Sequence, residues 1–310
     1  MILVFGTICL DRIRHVPLLP APGGYVSVQD EETRLGGEAA NTAYALAGWG
    51  AHLKLVGNAV ESEVDQLLAN YGLERIPGSR SAGVAPVCEI YVTPDGQRTM
   101  FGVHFDQMAE TIDPEAIPME ANGWFTMDMN FGAIGLQVAA RAKSAAMHLY
   151  LMDIAPDDAA ELLGSGDVWQ SSTDWYGHLG DSKRNLAWVE RHAKRWRATV
   201  ILTDSGRELA VGLPSGTAFT LPTFPPPLAK SGGVGRLDST GAGDRFRAGM
   251  LLGLAQAWPI GECLAFASAA ASMKVAHTGA IAPVPSMEAI DQFRRRHARV
   301  DSAFAEIGIQ

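Results

Sequence analysis

Seven residues in the C-terminal third, Asp238-Ser239-Thr240-Gly241-Ala242-Gly243-Asp244, combine an anion cradle with an acid. They follow a Gly- and Pro-rich loop, Leu221 to Gly235, and run into the apolar, helix-compatible segment Phe246 to Trp258. Where two glycines and an alanine open a helix, no side chain keeps an anion from the backbone. The free N–H groups and the positive end of the helix dipole then converge on one place. Asp244 stands at the end of that cradle, where a base is wanted if a phosphoryl group is delivered to a hydroxyl. The same residues also read as a cap, with Asp238, Ser239 or Thr240 capping the helix and the glycines making a turn. On these seven residues alone the two readings stand level.

The rest of the chain is patterned to hold such a site at the edge of a sheet. Met1 to Gly6 is an apolar run ending in glycine, as in a buried parallel strand, and Thr7 to Asp11 leaves its C-terminal end. Pro17, Pro20, Pro22, Gly23 and Gly24 precede the alternating Tyr25-Val26-Ser27-Val28, which predicts a short projecting strand. Gly36-Gly37 precedes an alanine-rich helical stretch, Glu38 to Trp49, closed by Gly50. Ala85 to Val92 and Gln97 to Val103 flank Thr93-Pro94-Asp95-Gly96 and predict a hairpin. Paired with Tyr25–Val28, it predicts a small lid sheet over the crevice. From Trp124 onward strands (124–128, 146–153, 199–203, 208–211) and helices (136–144, 157–163, 186–197) alternate, and helices follow at 242–258, 261–276 and 286–300. That order implies a parallel sheet covered on both faces. One α/β domain spans residues 1–310, with lid segments at about 12–34 and 85–105.

Composition excludes several classes. A net charge of −9 and interrupted basic runs argue against a nucleic-acid surface. Cys9, Cys88 and Cys263 lie far apart without CxxC spacing, and no HExxH pair occurs, so neither a disulfide framework nor a transition-metal site is expected. No signal peptide or bilayer-spanning run is visible, and a cytoplasmic protein is expected. GxxxxGK[ST], a full GxGxxG and GxSxG are all absent, which removes P-loop, dinucleotide-binding and hydrolase readings.

The motifs together resemble the ribokinase-like (PfkB family) carbohydrate kinases over nearly the full length. The residues that carry the resemblance are Gly6-Thr7-Ile8-Cys9-Leu10-Asp11, Gly36-Gly37-Glu38-Ala39-Ala40-Asn41-Thr42-Ala43, and Asp238 through Phe246. It implies a three-layer α/β/α domain with a central, mostly parallel sheet and a small β lid. It implies transfer of the γ-phosphoryl group of ATP to a hydroxyl of a sugar or sugar-like alcohol, with Mg²⁺ on the phosphates. Asp244 takes the role of general base, and the Gly241, Ala242 and Gly243 amides that of the anion hole. Asp11 and Asn41 each engage vicinal hydroxyls of the substrate, and Gly36 and Gly37 allow close approach. Thr203, Gly206, Thr240, Gly241, Gly243, His277 and Gly279 fall where the nucleotide binds. Asp238 and Thr240 match positions that help hold a monovalent cation such as K⁺. A homodimer through the lid is a further expectation.

The chain departs from the family in two places. After Gly57, Val60 and Ser62 stand where Gly and Asp are usual. The Asn-x-x-Glu motif that organises Mg²⁺ is missing, and Asp174 in Ser171-Ser172-Thr173-Asp174 is the remaining carboxylate. A nucleoside or phosphosugar kinase is the alternative within the same chemistry, the latter needing Arg12, Arg14, Arg34 or Arg98 turned inward. A sugar- or nucleotide-binding regulator without turnover is the alternative from another class.

Overall fold

A computed structural model describes residues 1–76, 84–94, 98–227 and 237–307. Its strands are β1 (Ile2–Gly6), β2 (Cys9–His15), β3 (Asp30–Gly36), β4 (Leu53–Gly57), β5 (Val87–Val92), β6 (Arg98–Val103), β7 (Trp124–Met127), β8 (His148–Met152), β9 (Val168–Ser172), β10 (Thr199–Asp204), β11 (Glu208–Gly212) and β12 (Ala218–Pro222). Its α-helices are α1 (Glu38–Gly48), α2 (Ser62–Asn70), α3 (Gly132–Ser144), α4 (Pro156–Leu162), α5 (Ser182–Trp196), α6 (Ala242–Ala255), α7 (Ile260–Val275), α8 (Met287–Arg296) and α9 (Ala298–Ala305).

Eight strands form one sheet in the order β12-β11-β10-β9-β8-β7-β1-β4. The six from β4 to β10 are parallel, and β10, β11 and β12 close the far edge antiparallel. Because side chains alternate along a strand, each apolar strand feeds two cores. Ile2 and Val4 of β1 join one core with residues of α1, α6, α7 and α8. Leu3 and Phe5 join the other with residues of α3 and α5. This is the ribokinase-like α/β/α arrangement. Among the described residues no helix is long and apolar enough to cross a membrane.

A second, four-stranded sheet runs β3-β2-β5-β6, and it corrects the sequence reading. Tyr25–Val28 is not a strand; it lies in irregular chain, and Tyr25 is 89% exposed. The strands are Cys9–His15 and Asp30–Gly36, paired antiparallel from Cys9↔Gly36 to His15↔Asp30. The strand β3 was hidden because it is an edge strand whose first five residues, Asp-Glu-Glu-Thr-Arg, are charged or polar, a composition that blocks edge-to-edge pairing. The β5–β6 hairpin forms with Val92 opposite Arg98, while Asp95 and Gly96 lie outside the described residues. Two further strands were not anticipated. In β9, Gln170 and the serines interrupt the apolar run although four of its five residues are buried. The edge strand β12 sits in what read as loop, with Pro222 at its end. The predicted helix over 286–300 is two helices, broken at His297 (φ −114°, ψ 40°).

Candidate active site

The parallel strands end on one edge, and a cleft of about 680 Å³ opens there. Thr7, Asp153, Ser171, Thr203 and Gly206, at or just past four strand ends, line it together with Ser239–Asp244 and α1 residues Glu38 and Asn41. Crevices of open α/β sheets form at such edges.

At the start of α6 the cap and the cradle both exist, in different residues. The carboxylate of Asp238 accepts from the Thr240 amide (2.9 Å) and hydroxyl (2.6 Å), which caps the turn before the helix. The helix itself begins at Gly241 in the left-handed region (φ 72°), with no side chain capping it. A Cβ on Gly241 would stand 2.9 Å from the Ala280 carbonyl, so the position is both strained and crowded for any other residue. Among the described residues the amides of Gly241 and Gly243 have no partner within the chain, whereas that of Ala242 donates to the Ser239 carbonyl (3.0 Å). The three-amide hole expected from the sequence is therefore corrected to two free amides flanking a committed one. A Cβ on Gly243 would meet only Gln170 Nε2 at 3.9 Å, so the space beside that residue is open.

Asp244 is buried, and two elements hold it. Asn41 on α1 donates from Nδ2 to Oδ2 (2.8 Å), and Arg247, one turn on in α6, donates from Nη2 to Oδ1 (3.1 Å). Arg247 is itself fully buried and ties the cleft floor together. It also donates to the Thr42 hydroxyl (2.9 Å) and to the carbonyls of Glu38 (2.7 Å) and Met127 (3.3 Å). Burial pushes the Asp244 carboxyl up to about 6; Arg247 and Asn41 pull it back, while Asp128 and Asp153 add to the rise. Among the described residues Asn41 Oδ1 is buried without a partner, and it belongs to a cleft-lining side chain. The neighbouring Glu38 also leaves Oε2 unpartnered, and burial beside Asp128 and Asp244 holds its carboxyl well above the usual range.

Asp11 reaches the cleft from β2 and is 6% exposed. Burial pushes its carboxyl up to about 6; the Cys9 thiol, 3.5 Å away, lowers it, Asp244 raises it and Arg34 lowers it. Gly36, expected to admit substrate, instead admits Asp11: a Cβ there would lie 2.2 Å from Asp11 Oδ1. Gly37, at φ 97°, packs on the Thr7 carbonyl, 2.3 Å from where its Cβ would be. The β1–β2 junction is stapled by distant polar side chains. Asp128 accepts from the Thr7 amide (2.7 Å) and hydroxyl (3.1 Å), and Asn58 exchanges bonds with the amide (2.9 Å) and carbonyl (3.0 Å) of Ile8.

The opposite wall carries Thr203, Ser205, Gly206, Leu209, Phe224, Ala271, Ser272 and Val275. Asp204 ties it together, accepting from Thr173 Oγ1 (2.7 Å), the Gly180 amide (3.0 Å) and Arg207 (2.9 and 2.6 Å). The Arg207 bond above all holds its carboxyl down to about 2. His277 is corrected: it is exposed and does not line the cleft, and Val275, two residues earlier, does. Gly279 lines a smaller adjoining cavity with Asp11, Arg98 and Asp238, and its amide donates to Asp238 Oδ2 (2.7 Å). Asp174 lines the cleft but is exposed, and among the described residues no group of three His, Cys, Asp or Glu is placed to hold a metal ion. Asp153 closes β8 at φ 57°, in the left-handed region, and accepts from Ser171 Oγ. Asp238 and Thr240 bond each other, and Arg98 Nη1 bridges to Asp238 Oδ1 (2.8 Å).

Arg247, Asp128, Glu38 and Asn58 were not foreseen. An arginine three residues after Asp244 in an apolar helix was the available signal, since i and i+3 share a face. Asp128 and Asn58 bond groups 121 and 50 positions away, and the Glu38 carbonyl meets Arg247, 209 positions away, so none left a local trace.

Residues 178–287 match the model of the pfkB family carbohydrate kinases. A Dictyostelium discoideum protein described as an uncharacterized sugar kinase is 26% identical, covering 94% of this chain and 96% of that one. Among solved structures, ribokinase from Giardia lamblia superposes with a TM-score of 0.74 at 18% identity, covering 94% of this chain and 98% of that one. Arabidopsis thaliana ribokinase complexed with ribose and ATP gives 0.72 at 19%, covering 94% and 97%. With its strand-end cleft and its buried acid at a glycine-opened helix, the chain is built on the ribokinase-like fold and is similar, over residues 178–287, to the pfkB family carbohydrate kinases.

Proposed function

We propose that this kinase phosphorylates a hydroxyl of a neutral sugar or sugar-like alcohol, with Asp244 as general base. The observation that carries the reading is the placement of Asp244, buried at the start of α6 between the free Gly241 and Gly243 amides and Asn41. The acceptor hydroxyl gives its proton to Asp244 as its oxygen bonds to the γ-phosphorus, and the bond to the bridging oxygen breaks to leave ADP. Phosphoryl transfer asks mainly for positioning and charge stabilisation, and the free amides of the cleft-lining Gly241 and Gly243 supply the latter. Asn41 Oδ1, without a partner among the described residues, and the Asp11 carboxylate, met there by the Cys9 thiol, have acceptor capacity left for sugar hydroxyls. The nucleotide lies along the Thr203–Gly206 wall, with Phe224, Ala271 and Val275 against its base.

Bound Mg²⁺ would neutralise charge on the phosphates; among the described residues no group of three ligands forms a cage for it, and Asp153 and Asp174 are the cleft carboxylates that would help hold it. The four-stranded sheet acts as the lid: Cys88 and Ile90 of β5 and Met100 of β6 line the cleft from above. Phe101 of β6, on the face away from Met100, is 55% exposed, an apolar surface suited to a second copy of the chain, which sedimentation would reveal as a dimer. Three free cysteines are in keeping with a reducing cytoplasm.

A phosphosugar is disfavoured because the candidate arginines are already paired. Arg12 and Arg14 hold Glu89, Arg34 holds Glu32, and Arg98 holds Asp238. An ATP-consumption screen across neutral sugars, sugar phosphates and nucleosides tests the reading. Turnover on a neutral sugar is expected; preference for a sugar phosphate or nucleoside overturns the substrate class. Ligand-dependent melting shifts without turnover on any of them identify a regulator instead.

A further inference from the structure

The family resemblance implies a monovalent cation beside the anion hole, held in part by Asp238 and Thr240. The residues in this chain do not fit one, because its own side chains already supply the positive charge. The loop from His277 to Pro283, which packs against Gly241, is met by three of them. Lys274 Nζ donates to the main-chain carbonyls of Asp238 (2.8 Å) and His277 (3.3 Å). Arg34 Nη1 donates to the Thr278 carbonyl (2.8 Å), and Arg245 to those of Ala282 (2.9 Å) and Pro283 (3.5 Å). The Asp238 carboxylate is equally engaged: Thr240 and Arg98 share Oδ1, and the Gly279 amide takes Oδ2.

Lys274 is the informative member. It is 1% exposed, at the end of α7, and an ammonium buried there needs oxygen acceptors and a nearby negative charge. A bare potassium ion makes the same demand of the same oxygens. With one carboxylate facing both Lys274 and Arg98, a further cation would add repulsion where the charge is already compensated.

We infer that the Lys274 ammonium is a tethered cation that replaces the free monovalent ion, so that this kinase is organised for turnover without K⁺. The inference rests on the kinase reading only for its effect on rate; its effect on stability stands apart from any substrate.

Thermal melting in KCl and in tetramethylammonium chloride at equal ionic strength, with no substrate present, is the primary test. Wild-type protein is expected to melt at the same temperature in both salts. A K⁺-specific rise in the wild type overturns the inference. Lys274→Ala uncovers the Asp238 and His277 carbonyls, and its melting temperature is expected to drop and then recover by roughly 2–4 °C in KCl alone. Lys274→Met, which removes the charge but keeps the bulk, is expected to drop without recovering. Wild-type melting for Lys274→Ala with no K⁺ response shows that the ammonium holds nothing, and also overturns it. Should neither variant fold, the salt comparison on the wild type decides alone. Once a sugar is identified, turnover by the wild type in the two salts should agree within about twofold, since a ligand that does not bind shifts nothing. Failure there with unchanged melting would fault the rate argument, and absence of any turnover would fault the kinase reading.

Discussion

Two carboxylates face the cleft from opposite sides, and burial brings both to about 6, yet they are supported differently. Asp244 is gripped by Asn41 and by a fully buried Arg247, which itself holds two main-chain carbonyls and the Thr42 hydroxyl. Among the described residues Asp11 has one side-chain partner, the Cys9 thiol at 3.5 Å, and burial pushes that thiol well up, so it stays a weak neutral donor. One acid is pre-organised with its counter-charge, as a group doing chemistry must be. The other is left short of partners, which suits a group whose hydrogen bonds the ligand supplies. Similar titration therefore goes with unequal support, and geometry separates the two carboxylates.

The largest effect expected along this comparison is on rate. Asp244→Asn keeps the shape and the Asn41 contact but cannot take a proton. We predict a fall of about 10²–10⁴ in kcat with ATP affinity retained. Steady-state kinetics beside calorimetric ATP titration check this, and near-normal turnover would remove Asp244 from the base role. Next comes Arg247→Met, which leaves Asp244 as an uncompensated buried charge. A loss of about 3–5 kcal/mol by urea denaturation is expected. Because Arg247 lowers the Asp244 carboxyl, any activity left in the variant should have its acid limb displaced to higher pH. An unmoved limb would mean that Arg247 only supports packing.

Asp11→Asn probes the other side. Its sugar KM should rise while ATP affinity stays put; an unchanged KM takes Asp11 out of the site. The variant should also be more stable than wild type at pH 8. The folded carboxyl sits near 6 against an ordinary 3.8, so the folded state binds the proton more tightly. Its stabilising contribution is full below the ordinary value and lost as pH rises through the folded one. The gain on substitution should reach about 2–3 kcal/mol above pH 7 and vanish below pH 4. A gain independent of pH would point to packing instead. The smallest effect is the acid limb itself. In the wild type kcat/KM should fall about tenfold per pH unit below 6, and Asp11→Asn should keep that limb because Asp244 remains. Loss of the limb in Asp11→Asn would reassign it.

Much of this site was legible in the chain. Asp244 after Gly241-Ala242-Gly243, Asn41 after Gly36-Gly37, and Asp11 beyond the first strand each sit in a local pattern, and the structure brings all three to one cleft. What escaped was nonlocal. Arg247 read as the start of an apolar stretch, and only the fold turns it onto Thr42 and Met127, 205 and 120 positions away. The strand β3 escaped because its charges suit a sheet edge, and β9 because Gln170 and its serines face a cleft rather than a core.

The sequence by itself determined which backbone positions have no side chain, where apolar runs alternate, and which acid follows the glycine-opened helix. These are properties of a few neighbouring residues, set by local sterics and period. Tertiary structure decided the burial of Asp244, the difference in support between it and Asp11, and which side chains meet Asp238. Those depend on burial and on charges summed over groups brought together from distant parts of the chain, and no short window of sequence contains them.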